Sequence, residues 1–340
     1  MKGPEGLPIL AHGAAAFVVS LLFALYLTPI FRDSARRFGI VDMPDGKLKL
    51  QQDAIPYLGG LAVFSAVLFP AAIFLQFSDE LMGLLLAASV VVMLGLIDDI
   101  GRLSPRIKLV VQVVAVFLMI KSGIRIRVGF LPPLLSVVLT FLWMLLMTNG
   151  FNLIDVMDGL AGGVGAVSAV ALSIVFLLQG DQMGVVLCVS LAGALLGFLH
   201  YNRPPAQIYL GDTGSLFLGF LLGGLAIGGR YTARNSLGWL TAIAIFAVPV
   251  FEILFLSYLR MRRGAPIMAG SRDHFSLRLR KWRLTTGQTV VYSCAAASGS
   301  AAAGLVAMLI PDCTSLYWYG AVLAMFLVAA AWLKAVDMSL

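Results

Sequence analysis

The chain has 340 residues, 60% hydrophobic and 12% charged, with a mean hydropathy of +0.95 and a net charge of +7. A soluble domain carries about 25% charged residues, so a water-soluble globule is excluded. The apolar residues instead come in runs of about 20, the length of helix that crosses a bilayer core of roughly 30 Å. The expected fold is all-α, a polytopic integral membrane protein forming one transmembrane domain over 1–340. Three cysteines, an odd number, leave no disulfide framework or zinc quartet. Most Lys and Arg lie in short connections between apolar runs, where they set topology and meet anionic headgroups. No nucleic-acid partner is expected.

In chain order, eleven candidate spans centre near residues 20, 66, 89, 114, 142, 168, 191, 221, 248, 299 and 327. The first run, Ile9 to Phe31, is too long for a signal-peptide core and continues into a charged loop, so it is read as a retained span. With the N-terminus outside and the C-terminus cytoplasmic, 18 Lys and Arg fall inside and six outside, the bias that marks cytoplasmic loops. The longest polar stretch, 260–288, is then a cytoplasmic loop. Its Arg272 and His274 stand where sugar and phosphate would be recognised, Arg being a bidentate phosphate binder. Arg262, Arg263, Arg280, Lys281 and Arg283 fit topology and headgroup contact.

The 17 acids are few enough for their placement to inform. Asp98 and Asp99 close the third span. Asp155 and Asp158 lie in Asn152-Leu-Ile-Asp-Val-Met-Asp158, and Asp212 in Tyr209-Leu-Gly-Asp-Thr-Gly-Ser215. The Lys and Arg count puts all five on the cytoplasmic side. Asn152, Asp155 and Asp158 are spaced by three, which on a helical turn places them on one face. Carboxylate and amide oxygens suit a hard divalent cation, and Mg2+ takes one or two carboxylates together with phosphate and water. Five acids without a neutralising partner would repel one another; a cation and an anionic phosphate substrate resolve that. The bland alternatives are interfacial or helix-capping acids, with Asp212 capping the eighth span at a helix N-terminus that also favours phosphate. Gly162, Gly163 and Gly165 follow no strand, so they read as helix-packing residues and not as a dinucleotide loop.

Over residues 40 to 280 the sequence resembles the polyprenyl-phosphate N-acetylhexosamine-1-phosphate transferases. The resemblance runs through Ile55-Pro-Tyr-Leu-Gly-Gly60, Asp98-Asp99 with Leu103-Ser-Pro105, Lys108 and Gln112, the stretch Asn152 to Gly162, Tyr201-Asn202, Tyr209 to Ser215, Asp273-His274 and Arg278-Leu279. It implies a Mg2+-dependent enzyme (Mn2+ being the alternative) of the inner or plasma membrane, with a cytoplasmic active site. Such an enzyme moves a sugar 1-phosphate from a UDP-N-acetylhexosamine to polyprenyl phosphate and releases UMP.

By the resemblance, Asp212 is the metal ligand and Asp98 and Asp99 are the lipid-phosphate and catalytic pair. Asn152 and the catalytic Asp155 lie around the pyrophosphate. Asp158, Asn202, Tyr209 as an aromatic stack, and Lys49 make the uridine pocket, with Lys108 also binding substrate; Arg272 joins the substrate-binding set from the loop reading above and not from the resemblance. His274 matches the first histidine of an H-x-H-H motif whose later histidines are replaced here by Ser276 and Leu277. Glu252 stands where many relatives carry Asp, as ion-pair partner or structural group. The histidine-rich motif of the UDP-MurNAc-pentapeptide branch is absent, which favours a simple UDP-N-acetylhexosamine donor, with UDP-GlcNAc the first expectation and UDP-MurNAc-pentapeptide the alternative. A homodimer is left open. A lipid transporter or flippase is the rival class, but transporter sites lie at the midplane between repeats, whereas these acids gather at span ends.

Overall fold

Apolar runs punctuated by Pro, Gly and charged residues fold almost entirely as helix. The computed structural model describes residues 6–43, 54–101, 103–127, 132–264, 273–336 and 338. In chain order the elements are α1 (Gly6–Arg37), β1 (Val41–Asp42), β2 (Ile55–Pro56), α2 (Gly59–Phe74), α3 (Asp79–Gly101), α4 (Pro105–Lys121), α5 (Pro133–Ile154), α6 (Leu160–Gln179) and α7 (Gln182–Asn202). They continue with α8 (Gly211–Gly228), α9 (Leu240–Ile245), α10 (Ala247–Arg262), α11 (Phe275–Lys281), α12 (Thr286–Ala307) and α13 (Asp312–Lys334). The strands β1 and β2 pair antiparallel, Val41 opposite Pro56 and Asp42 opposite Ile55.

Each expected span centre lies within a helix, yet eight helices among the described residues have full crossing length and hydropathy: α1, α3, α5, α6, α7, α8, α12 and α13. The others are shorter for local reasons. α2 has 16 residues and gives way to the polar run Gln76 to Glu80, and α4 has 17. The run around residue 248 is split at Phe246 into α9 and α10, with Pro249 in the first turn of α10.

The most enclosed of the crossing helices is α8, and small residues let its neighbours reach its backbone. A Cβ on Gly60 of α2 would stand 2.2 Å from Gly214 N, one on Gly95 of α3 2.4 Å from Thr213, and one on Gly219 of α8 2.3 Å from the Met147 carbonyl of α5. These close crossings bring the start of α2 and the end of α3 against the start of α8, and the last turns of α5 against its middle. α1 lies along α7 in the same manner, over Gly193 and Gly197. The buried Ser20 hydroxyl joins α1 to the carbonyls of Ala66 on α2 and Ser190 on α7. α13 is the least enclosed span and exposes Leu316, Leu323, Leu327 and Val328, as a lipid-facing helix does.

Candidate functional site

The Ile55 to Gly60 motif has a structural cause. Tyr209 N donates to the Pro56 carbonyl, and Gly59 N and Gly60 N donate to the carbonyls of Tyr209 and Leu210, so the entry to α8 is clamped by β2 and the start of α2. Gly211 then turns with φ +72°, and a Cβ there would lie 2.6 Å from Asp99 Oδ2; both conditions demand glycine. Asp99 Oδ1 accepts Asp212 N (2.8 Å), and its Oδ2 accepts Thr213 N (3.0 Å) and Thr213 Oγ1 (2.6 Å).

Asp99 therefore satisfies the first amides of α8, where a negative charge meets the positive end of the helix dipole. This corrects two expectations. Asp212 is not the cap, and the α8 N-terminus is taken by a carboxylate of the chain itself and not left open for phosphate.

Released from capping, Asp212 faces α4 and α5. Lys108 Nζ donates to Asp212 Oδ2 at 2.6 Å and to Asp98 Oδ2 at 2.5 Å. Asn152 Nδ2 donates to Asp212 Oδ1 and to Ser215 Oγ, both at 2.9 Å. Asp98 Oδ1 accepts Leu103 N at 2.6 Å. The acids are thus not without a neutralising partner, contrary to expectation: Lys108, from the first turn of α4, bridges two of them. A reciprocal amide pair, Gln112 with Asn149, ties α4 to α5 one turn away. Thr213, Ser215 and Gln112, which the motifs contain without a role assigned to them, are supporting residues; Asn149 is one that pattern reading missed and could have been found as the polar residue three before Asn152 on the same apolar helix.

The expectation that Asn152, Asp155 and Asp158 share a helical face does not hold, because α5 ends at Ile154 and Asp155 is its C-cap. Gly159, with φ +77°, then starts α6. Asp155 accepts no hydrogen bond and meets no cation among the described residues; burial, then the charges of Asp212, Asp99 and Asp158, push its carboxyl well above the usual range. Asp158 turns instead to the connection before α8, where its Oδ2 accepts Ala206 N at 3.0 Å. Burial raises its carboxyl too, against the lowering effect of that bond and of Arg280.

Asn202 is spent on structure: Oδ1 accepts Gly159 N and Nδ2 donates to the Ile208 carbonyl, both at 2.9 Å, in a buried position. It is a brace between two loops, with both ends of its amide committed to backbone partners. Tyr209 is half-buried beside Tyr57, ring centroids 6.1 Å apart, with its phenol held neutral chiefly by burial.

His274 is buried away from solvent, its Nδ1 2.5 Å from Glu252 Oε1, while Phe275 N donates to Glu252 Oε2. Glu252 is thereby the partner of His274, and none of the five aspartates hydrogen-bonds the imidazole among the described residues. Lys49 and Arg272 lie outside the described residues.

A model of the family described as glycosyl transferase family 4 matches residues 81–230, the stretch that carries α3 to α8 and this cluster. A Bacillus subtilis (strain 168) protein named "Probable undecaprenyl-phosphate N-acetylglucosaminyl 1-phosphate transferase" is 32% identical over 287 residues, covering 81% of this chain and 79% of the relative. The chain belongs to the polyprenyl-phosphate N-acetylhexosamine-1-phosphate transferases. Undecaprenyl-phosphate alpha-N-acetylglucosaminyl 1-phosphate transferases from Salmonella typhi and Escherichia coli (strain K12) are 28% and 25% identical, covering 85% and 86% of this chain and 83% and 82% of the relatives. In this member of the family, the matched segment holds Asp98, Asp99, Lys108, Asn152, Asp155 and Asp212.

Proposed function

We propose that the protein transfers N-acetylglucosamine 1-phosphate from UDP-N-acetylglucosamine to a polyprenyl phosphate, releasing UMP and leaving a polyprenyl diphosphate sugar. The observation that carries the reading is the meeting of Asp98, Lys108, Asn152 and Asp212 at one end of α3, α4, α5 and α8, within the family-matched segment. We place this end at the cytoplasmic face of the plasma or inner membrane, in a topology of eleven spans with the N-terminus outside. The Lys and Arg distribution supports it.

The donor set suits Mg2+. Asp155 is unpaired among the described residues and disfavours its own charge, and the nearby ligating atoms are oxygens. No three carboxylate, imidazole or thiol groups surround one point among the described residues; Mg2+ is commonly held by one or two carboxylates together with phosphate and water. Asp212 and Asp155 would hold the ion, which when bound neutralises the donor diphosphate.

The chain's own groups have distinct tasks. Lys108 has three N–H donors, two of them on Asp98 and Asp212, which leaves one for a phosphate oxygen. Asp98, fixed by Leu103 N and Lys108, positions the acceptor head. The acceptor's second pKa is about 6, so at neutral pH it is a nucleophilic dianion without a general base. Tyr209 stacks on the uracil. UMP release from UDP-N-acetylglucosamine with a short polyprenyl phosphate, run beside UDP-N-acetylgalactosamine and UDP-MurNAc-pentapeptide, tests the reading. Release from the first donor alone is expected; release from none of them refutes it.

A further inference from the structure

The C-terminal ends of α10 and α13 enclose, with α11, a cavity of about 280 Å3 lined by Arg262, Arg263, Arg278 and Lys334 beside Leu259 and Val336. Arg278 is its rigid wall. That side chain is fully buried and donates to the Asp273 carboxylate and to the carbonyls of Asp273, Leu333 and Val336, so the end of α13 is fastened to the start of α11. Arg263 also pairs with Asp273, at 2.5 Å, and is 55% exposed. Arg262 and Lys334 are exposed at the mouth. Among the described residues, four cations thus meet one acid, Asp273.

A second observation fixes the depth of this cavity in a bilayer. Trp282, directly after α11, and Trp332, two residues before Lys334, pack edge to face with centroids 4.7 Å apart. Both are exposed, at 52% and 39%. Exposed Trp side chains sit at headgroup level in membrane proteins. On one side of this level lies the cationic cavity; on the other α13 presents Leu323, Leu327 and Val328.

We infer that this cavity binds the phosphate headgroup of an anionic phospholipid, whose acyl chains lie along α13. Basic pockets between membrane helices at this level take such headgroups. The lining of this cavity includes none of the aspartates of the cluster, and the inference stands independently of the proposed reaction.

The test uses the delipidated full chain in detergent, titrated with phosphatidylglycerol, phosphatidylcholine or glycerol 3-phosphate and read by native mass spectrometry. Phosphatidylglycerol is expected to bind in preference to phosphatidylcholine. An interfacial cation is worth about fivefold in affinity, so Arg262→Gln with Lys334→Gln should weaken phosphatidylglycerol about 30-fold and leave phosphatidylcholine unchanged. Both side chains are exposed, and Arg262→Lys with Lys334→Arg, which keeps the charge, should keep the preference. Equal binding of the two lipids, unaltered phosphatidylglycerol affinity in the Gln variant, or loss of preference in the charge-keeping variant overturns the inference. So does glycerol 3-phosphate competing as well as the lipid, which would assign the cavity to a water-soluble anion.

Discussion

Lys108→Met removes the ammonium that joins α3 to α8 through Asp98 and Asp212. A hydrogen bond to a charged group contributes about 1.5–3 kcal/mol. Lys108 and Asp212 are each 26% exposed and Asp98 11%, so solvent screening argues for the lower end of that range. A cation that takes Asp212 Oδ2 has to displace Lys108 from it. Without that competitor, cation affinity should rise about tenfold, the equivalent of roughly 1.5 kcal/mol. Turnover should move the other way. Asp98 loses the ammonium that helps fix it, and an ångström of misplacement in a positioning group costs about 100-fold in rate. Mn2+ binding to the substrate-free protein, followed by electron paramagnetic resonance, separates the two effects from each other. Lys108→Arg, which can still bridge two carboxylates, should lie between wild type and the Met variant on both measures. Unchanged Mn2+ affinity in Lys108→Met, together with turnover within twofold of wild type, would refute the reasoning.

Asn202→Leu leaves Gly159 N and the Ile208 carbonyl unpaired and should cost about 2–4 kcal/mol of stability, with donor KM unchanged in the protein that remains folded; a large rise in donor KM without loss of thermal stability would return Asn202 to the substrate pocket. Tyr209→Ala should raise donor KM about 5- to 100-fold, by analogy with base stacking on aromatics, and equal effects on donor and lipid KM would count against a stacking role. The raised Asp155 carboxyl means that the folded protein binds more protons than the unfolded chain, so its contribution to stability falls as pH climbs from the ordinary value of 3.8 toward the raised one; thermal unfolding against pH should show that decline in the metal-free protein and a shallower one in Asp155→Asn, and identical slopes would contradict it. Cys313, exposed at the start of α13, should react with a membrane-impermeant maleimide added to intact cells; labelling only after lysis would reverse the proposed orientation.

What pattern reading reaches here follows from what a periodicity or a charge count can encode. Apolar runs specify helices, and the Lys and Arg count places Asp98, Asn152 and Asp212 on one side, where the structure joins Asp98 to Asp212 through Lys108 and Asn152 to Asp212 directly. Direction is another matter. Spacing by three implies a shared face only while a helix continues, and α5 stops at Ile154 with Gly159 as the punctuation. Asn202 looks like a free amide at a helix end, but its partners lie in two different loops. Asp99 caps a helix that begins more than a hundred residues later in the chain, a pairing that no local signal contains.

The division of labour between Asp99 and Asp212 also accounts for the charge of the site. A carboxylate at a helix N-terminus has its charge answered by the helix dipole, and Asp99 is so placed. Had Asp212 capped its own helix, its oxygens would have turned inward, away from Lys108 and Asn152. With Asp99 answered, Asp98 and Asp212 share the ammonium of Lys108 and Asp155 meets no cation among the described residues, leaving two negative charges when all three are ionised. That deficit equals the charge of one divalent cation. Burial, and after it the charges of Asp212, Asp99 and Asp158, raise the proton affinity of Asp155 in the free protein, so cation binding should release a proton there, and buffered-indicator or calorimetric measurement of proton release across pH would reveal it. Cation binding without proton release at any pH would separate Asp155 from the cation site.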